Sequence, residues 1–454
     1  MSSPGSEVTY SRFRWFVLVT MFVVIGTTAV GLISPAPLIP KIFASFLPDP
    51  SMAGAILGNK VALPAGAMNI GQIANVAMLY FNLAVAIGAL SGGWFIDRFG
   101  ALPIFYWGAV LVGVGWLLMP SVGSTIGGVV VLRVVQGLGT GPVMASAAAV
   151  AAVRFPVHER GIVTATQGAA MAAGVGLGQA FMGDVYKAVG GTWQDAVFVL
   201  WPLALVAVLM TTIVAFGPKP VVVKREDLTA ADVAAQKHAL RAALRHPVTW
   251  AAIACVFILS WVYQAFNDLS PTYLTDPNIG VGFTNGGKML LAAQVLNFIG
   301  AFAGGVFTER AMRGRVRPSL VLGFSVGAVA GISMLMPFAV HNAAVMTVVV
   351  CIAGFFFAWV NPNALAFFAK TYPSNIVGKL GGYAMGLGIF GGSAGVAAGA
   401  HALGATNHFT LSIIIMSTVC AFGVVPALFL RQGRSAHLPA DTNVGRDASM
   451  ATAV

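Results

Sequence analysis

Long apolar runs alternate with short polar gaps along almost the whole chain. Twelve runs stand out, at about 15–39, 71–95, 103–121, 125–151, 161–183, 197–217, 249–272, 286–308, 318–340, 343–368, 377–399 and 409–430. A helix needs about 20 apolar residues to cross roughly 30 Å of hydrocarbon, and each run is near or above that length. The runs are too long for barrel strands and do not alternate apolar with polar positions. The pattern predicts an all-α membrane protein with twelve transmembrane helices.

Only one internal gap, 218–248, is sizeable. It contains TAADVAAQKHALRAALRHP. Thr229 followed by Asp232 resembles an N-capping pattern, and Val233, Leu240 and Leu244 share one helical face. Pro247 stops that helix. The gap is read as a cytoplasmic linker with an amphipathic helix on the inner surface; a loosely ordered charged linker is the alternative. It divides the chain into a six-helix bundle over 1–217 and another over 249–430. The tail, 431–454, is polar and rich in small residues, which predicts disorder.

The two halves repeat each other. GGWFIDRFG (92–100) is answered by GGVFTERAM (304–312), both Gly-Gly-x-Phe-x-acid-Arg. Ser34-Pro35 with Leu38 is answered by Ser270-Pro271 with Leu274, and Phe155-Pro156 by Tyr372-Pro373. Gly137, Gly174 and Gly178 recur as Gly354, Gly391 and Gly395. The offset falls from 236 to 212 between the first two pairs, which makes the first outer loop about 24 residues longer than its partner. Two parallel six-span halves describe a transporter architecture with two pseudo-symmetric bundles.

Charge then sets orientation. Twenty of the 25 Lys and Arg residues fall on the side of the N-terminus. Lys41, Lys60, Lys187 and Lys288 fall on the other, and Arg133 lies inside span four. That bias predicts both termini in the cytoplasm of a cell, with the chain in the inner (cytoplasmic) membrane. The formal charge of +11 is thereby a matter of topology, and nucleic acid is not expected as a partner. Cys255, Cys351 and Cys420 lie far apart in apolar runs and read as small fillers. The histidines sit in loops or at span ends, so no metal site is expected, and no GxxxxGK[ST] phosphate loop is present. No cofactor is expected, and the chain is read as a monomer among membrane lipids and not as an enzyme.

At this point the chain resembles the major facilitator superfamily over nearly its whole length. Gly93-x-x-x-Asp97-Arg98-x-Gly100 resembles that family's loop motif between spans two and three. Arg133-Val-Val-Gln136-Gly137-Leu-Gly139 resembles its span-four motif, and Arg154-Phe-Pro-x-x-Glu159-Arg160-Gly161 its exit into span five. Two departures matter. Ala101 and Leu102 stand where the loop motif usually carries basic residues, and GVGLGQAFMGD (174–184) lacks the Gly-Pro pair of the family's drug and proton exchangers. The resemblance implies that Asp97 meets the start of span eleven when the inner side is closed. By pseudo-symmetry Glu309 meets the start of span five. Gly93, Asp97, Arg98, Glu309 and Arg310 are thus expected to form a conformational latch, with a static surface marker as the alternative.

Candidate chemistry inside the spans is sparse. Arg133 lies about eight residues into span four, roughly 12 Å deep. An arginine at that depth costs at least about 2.5–3.5 kcal/mol on insertion scales and usually faces a cavity. It is a candidate ligand for an anionic solute, and pairing with backbone carbonyls is the structural alternative; Gln136 is one turn away. Asp268 and Asp184, near the outer ends of spans seven and five, are the candidates for proton coupling. Gln167, Tyr263, Gln264, Asn267, Gln294, Asn297 and Asn361 complete the candidate substrate site, because amides in an apolar cavity hydrogen-bond a small polar solute. Asn361-Pro362-Asn363 is expected to interrupt span ten.

The sequence reads best as a secondary active transporter that works by alternating access. Its solute is small, polar and anionic, and its coupling ion a proton. A proton-driven efflux pump for hydrophobic compounds and a transporter-like receptor remain the alternatives.

Overall fold

The computed structural model describes residues 11–156, 159–218, 230–276, 283–340, 342–372 and 374–431. Among these residues the chain is helical throughout, in twelve long rods. The first six spans are Arg14–Ser45, the segment from Ile70–Ala74 through to Tyr80–Phe99, Ala101–Leu117, Ile126–Arg154, Arg160–Ala188 and Trp193–Phe216. The second six are Pro247–Leu274, Phe283–Arg310, Val316–Val340, Ala343–Thr371, Ser374–Thr406 and Phe409–Phe429. Ten of the twelve are long and apolar enough to cross a bilayer by length and composition. Ala101–Leu117 is apolar but shorter, and Arg160–Ala188 is long but rich in Gly, Ala and Thr.

Packing repeats between the halves. Span one packs on span five as span seven packs on span eleven, span two on four as eight on ten, and span three on six as nine on twelve. The glycine pairs read from the sequence sit at those crossings. A side chain at Gly174 would strike the Gly26 carbonyl of span one, and one at its counterpart Gly391 would strike the Phe257 carbonyl of span seven. Small residues let such backbones approach closely, which is how helices associate where lipid removes any hydrophobic drive. The bundles then join through span two on span eleven and span five on span eight.

The linker helix, Ala230–Arg245, marks one face of the molecule, here the linker face. It buries Ala243 against the second bundle, and Thr249 and Trp250 at the start of span seven bond to the carbonyls of Ala243 and Leu244. The capping residue Thr229 and the tail 432–454 lie outside the described residues. On the opposite, distal face the first loop carries short helices at Pro50–Met52 and Ala53–Leu57, as its extra length requires. It reaches across to the turn between spans eleven and twelve. Asn59 pairs with Asn407 at 3.0 Å and with the His408 ring at 2.9 Å. Both asparagines hold positive φ, 53° and 51°, a conformation Asn tolerates better than most residues.

The bundles meet on the distal side and part toward the linker face. Gly71 of span two lies against Ala400 and Gly404 of span eleven, and Gly287 of span eight against Gln179 and Ala180 of span five. Further in, Leu90 lies against Gly386. Beyond that contact, Gly93, Gly381 and Gly382 have open space where a side chain would stand. The conformation is closed distally and open toward the linker face.

Span ten corrects one expectation. It runs as a helix through Pro362 from Ala343 to Thr371. Proline is tolerated inside membrane helices when neighbouring groups take up freed backbone positions. The carbonyl that loses its helical partner to Pro362 is that of Ala358, four residues back, and the Asn363 side chain donates to the adjacent Trp359 carbonyl at 2.9 Å.

Candidate functional site

Two helix irregularities prepare the centre of the first bundle. Span one breaks after Ile33 at Ser34-Pro35, where proline has no N–H to give the Gly31 carbonyl four residues back. Span two has a π-helical turn over Asn75–Leu79, and such turns disturb the regular backbone ladder. Arg133 of span four satisfies carbonyls at both places. Its Nε donates to Ala77 O at 2.6 Å, Nη1 to Gly31 O at 2.6 Å and to Gln136 Oε1 at 3.0 Å, and Nη2 to Leu32 O at 2.8 Å. The guanidinium also sits over the Phe81 ring, 4.2 Å from its centre. Arg133 is 1% exposed. Ser34 Oγ and Asn75 Oδ1, each two residues from one of its carbonyl partners, are buried without a partner among the described residues.

This placement corrects the picture of Arg133 and Gln136 as open ligands. Four of the five guanidinium N–H groups are committed. Gln136 accepts from Arg133 and turns toward span three, against Gly115 and the Val112 carbonyl. Together they clamp spans one, two, three and four.

The polar groups that do converge lie between the bundles. Asp268 of span seven, fully buried, accepts from Asn82 Nδ2 of span two and from Gln264 Nε2, each at 2.8 Å. It also lies within electrostatic reach of Arg133. At the preceding residue, Asn267 Oδ1 accepts from Gln294 Nε2 of span eight at 2.6 Å, and the Asn267 carbonyl accepts from Gln179 Nε2 of span five at 2.8 Å. Gln294 also donates to Gln179 Oε1 at 3.1 Å. Asn297 donates to Tyr263 OH at 3.1 Å and to Gln294 Oε1 at 3.3 Å. Spans two, five, seven and eight are thereby tied by an acid and a chain of amides. Amides in such a chain exchange partners without ionising, and a hydroxylated solute offers the same donors and acceptors.

Of the candidate residues, the structure brings together Tyr263, Gln264, Asn267, Asp268, Gln294 and Asn297. It leaves others apart. Gln167 donates to the Met144 carbonyl inside the first bundle. Asn361 is exposed on the linker half of span ten, and Asp184 is half-buried near the distal end of span five. Gln179 was not singled out from the sequence. Its signal is a lone amide in the apolar, glycine-rich stretch GVGLGQAF, the one strongly hydrogen-bonding side chain between Gly174 and Phe181.

The latch residues lie at the linker face. Gly93 and Arg98 are exposed, and Arg98 stacks on the rings of Trp94 and Phe99. The side chain of Asp97 lies outside the described residues. Glu309 pairs with Lys370 at the end of span ten, and Arg310 is exposed. In this conformation Glu309 reaches a cation of its own bundle.

Comparison with known proteins agrees with this architecture. The family model for the Major Facilitator Superfamily matches residues 16–396. The chain is 25% identical over 409 residues to a probable galactarate/D-glucarate transporter, GudP, of Escherichia coli (strain K12), covering 83% of this chain and 88% of that one. It is 30% identical over 168 residues to the protein of the same name in Bacillus subtilis (strain 168), covering 36% and 32%. Among solved structures, a bacterial homolog of the human lysosomal transporter Spinster superposes with a TM-score of 0.68 at 12% identity, over 94% of this chain and 95% of that one. A D-xylose-proton symporter superposes with a TM-score of 0.67 at 16% identity, over 95% and 99%. With its pseudo-symmetric twelve-helix fold and a family match across most of its length, the chain belongs to the major facilitator superfamily, as a multi-pass membrane protein and secondary transporter, not an enzyme.

Proposed function

We propose that this transporter moves a small hydroxylated organic acid across the cytoplasmic membrane by alternating access, driven by protons that load on Asp268. Both termini and the linker lie on the cytoplasmic side, so the conformation described is open to the cytoplasm. The observation that carries the reading is Asp268 itself, a carboxyl buried between the bundles and bonded to Asn82 across their interface. A buried carboxylate is stable only with partners, so its protonation and the bond that ties the bundles depend on each other. The amides of Gln179, Asn267, Gln294 and Asn297, with Tyr263 and Gln264, supply the hydroxyl contacts, and Arg133 supplies a positive field. The names of the two GudP relatives, probable transporters of sugar diacids, support an acidic polyol as the class of solute. The solved D-xylose-proton symporter of the same fold supports coupling to protons.

The test is a thermal-shift screen of the purified protein against sugar acids, polyols and apolar cations, followed by uptake into liposomes with an imposed pH gradient. Stabilisation by hydroxylated acids and uptake driven by an acidic exterior are expected. Stabilisation confined to apolar compounds contradicts the reading and favours the efflux alternative.

A further inference from the structure

Each half of the chain carries, in its first span, a proline that takes a helical donor away from a carbonyl. In span one Pro35 frees the Gly31 carbonyl. In span seven Pro271, the counterpart of Pro35 in the repeat, frees the Asn267 carbonyl, because proline has no N–H to offer the residue four back. Pro271 stands inside the helix Pro247–Leu274, and Asn267 and Pro271 are both buried. A buried carbonyl left without a donor is costly, and each of these two is met by a side chain from another span.

The two are closed differently. The Gly31 carbonyl accepts from Arg133 at 2.6 Å. Arg133 belongs to the same bundle, so this bond travels with the bundle as one body. The offset of 217 that takes Gly137 to Gly354 takes Arg133 to Val350, and span ten packs on span seven as span four packs on span one. Val350 is buried and its side chain has no donor. The second bundle therefore has no side-chain donor of its own at the equivalent position. Its freed carbonyl is met from across the interface, where Gln179 Nε2 of span five donates to it at 2.8 Å. Gln179 is fully buried, and its Oε1 accepts from Gln294 of span eight at 3.1 Å, which aims the amide at span seven. The main chains close up beside it, with Gly287 of span eight against the carbonyls of Gln179 and Ala180.

We propose that Gln179 is the positioning residue of the distal gate: its bond to the Asn267 carbonyl holds the distal side closed and breaks each time that side opens. Opening parts span five from spans seven and eight. The Arg133 bond survives that motion, because both its partners move together, and the Gln179 bond does not. Water in the opened passage then takes the place of the amide on the freed carbonyl. The inference goes beyond the nature of the solute and holds with none bound.

The test uses the full chain in liposomes without solute, with spin labels at Ala188 and Asn285, exposed residues at the distal ends of spans five and eight. Label distances give the ratio of distally open to distally closed molecules. Gln179→Met keeps the size of the side chain and removes the amide. It should raise the ratio about three- to twentyfold, the span expected of one interhelical bond in a membrane. Pro271→Ala returns an N–H to span seven, and in that background Gln179→Met should change the ratio less than about twofold. Should Gln179→Met not stay monodisperse, Gln179→Asn, which keeps an amide one methylene too short to reach, reads the same bond in both backgrounds. A ratio that does not move in the chain with Pro271 overturns the proposal. So does an equal shift in both backgrounds, which assigns the effect to the lost contact with Gln294 and not to the freed carbonyl. Uptake of hydroxylated acids is measured in parallel. The expected shift without uptake keeps the gate and refutes the reading of the solute, and uptake with an unmoved ratio does the reverse.

Discussion

Replacing Arg133 by lysine keeps the positive charge and removes the fork. The guanidinium makes four hydrogen bonds, three of them to backbone carbonyls on spans one and two. A lysine ammonium is a point donor with three N–H groups. The three carbonyls approach Nε, Nη1 and Nη2 from different sides, so an ammonium serves about two of the four acceptors. Hydrogen bonds to charged groups contribute about 1.5–3 kcal/mol in soluble proteins, and interhelical bonds in membranes average only about 0.6, reaching about 1.7. Losing two bonds within those limits costs about 1–6 kcal/mol, with about 3 as the central figure. Nothing offsets it, because the buried charge remains. Arg133→Lys should therefore unfold several degrees below wild type in detergent. Gln167→Ala, which removes one half-buried bond to Met144, should shift the midpoint by a degree or two. An Arg133→Lys midpoint equal to wild type would refute the clamp and return Arg133 to the role of a free ligand.

The distal contacts give two further predictions. Asn59→Ala removes the bonds to Asn407 and His408 and should shift spin-label distances across the distal face toward an open population, with folding unchanged because the pair is exposed. Gly71→Val drives a side chain into Ala400 and Gly404 and should block distal closure, so that a distal cysteine stays reactive and uptake stops while the protein remains monodisperse. On the linker face, Glu309→Gln breaks an exposed pair with Lys370, worth under about 1 kcal/mol. Its midpoint should match wild type, and any change in the ratio of inward to outward states measures the latch alone.

Most of the fold was legible because lipid imposes simple rules. Run length revealed the spans, and the Gly174/Gly391 pair marked crossings where backbone meets backbone. Two features escaped because they depend on partners distant in sequence. The π-helical turn at Asn75–Leu79 has no residue signature, and it makes sense only once Arg133 is seen against Ala77. Span ten was expected to break at Pro362 on local grounds, yet the helix runs on through it from Ala343 to Thr371, packed on spans eight and nine. Within the site, Asp268, Asn267, Gln294 and Asn297 were visible as polar residues in apolar runs. Which of them meet was not, because helical facing is read poorly where almost every position is apolar; hence Gln167 was named on span five and Gln179 passed over.

The account turns on Asp268 as the group that binds a proton on one side and releases it on the other. Asp268→Asn keeps the size of the side chain without its charge: its one oxygen accepts from Asn82 or Gln264, the other amide turns its own oxygen to the new NH2, and the variant cannot release a proton. The decisive measurement compares wild type and this variant in liposomes, by counterflow exchange and by uptake under a pH gradient. The account predicts that the variant exchanges labelled for unlabelled solute yet fails to accumulate it, whereas wild type does both. Accumulation by Asp268→Asn under the pH gradient would contradict it.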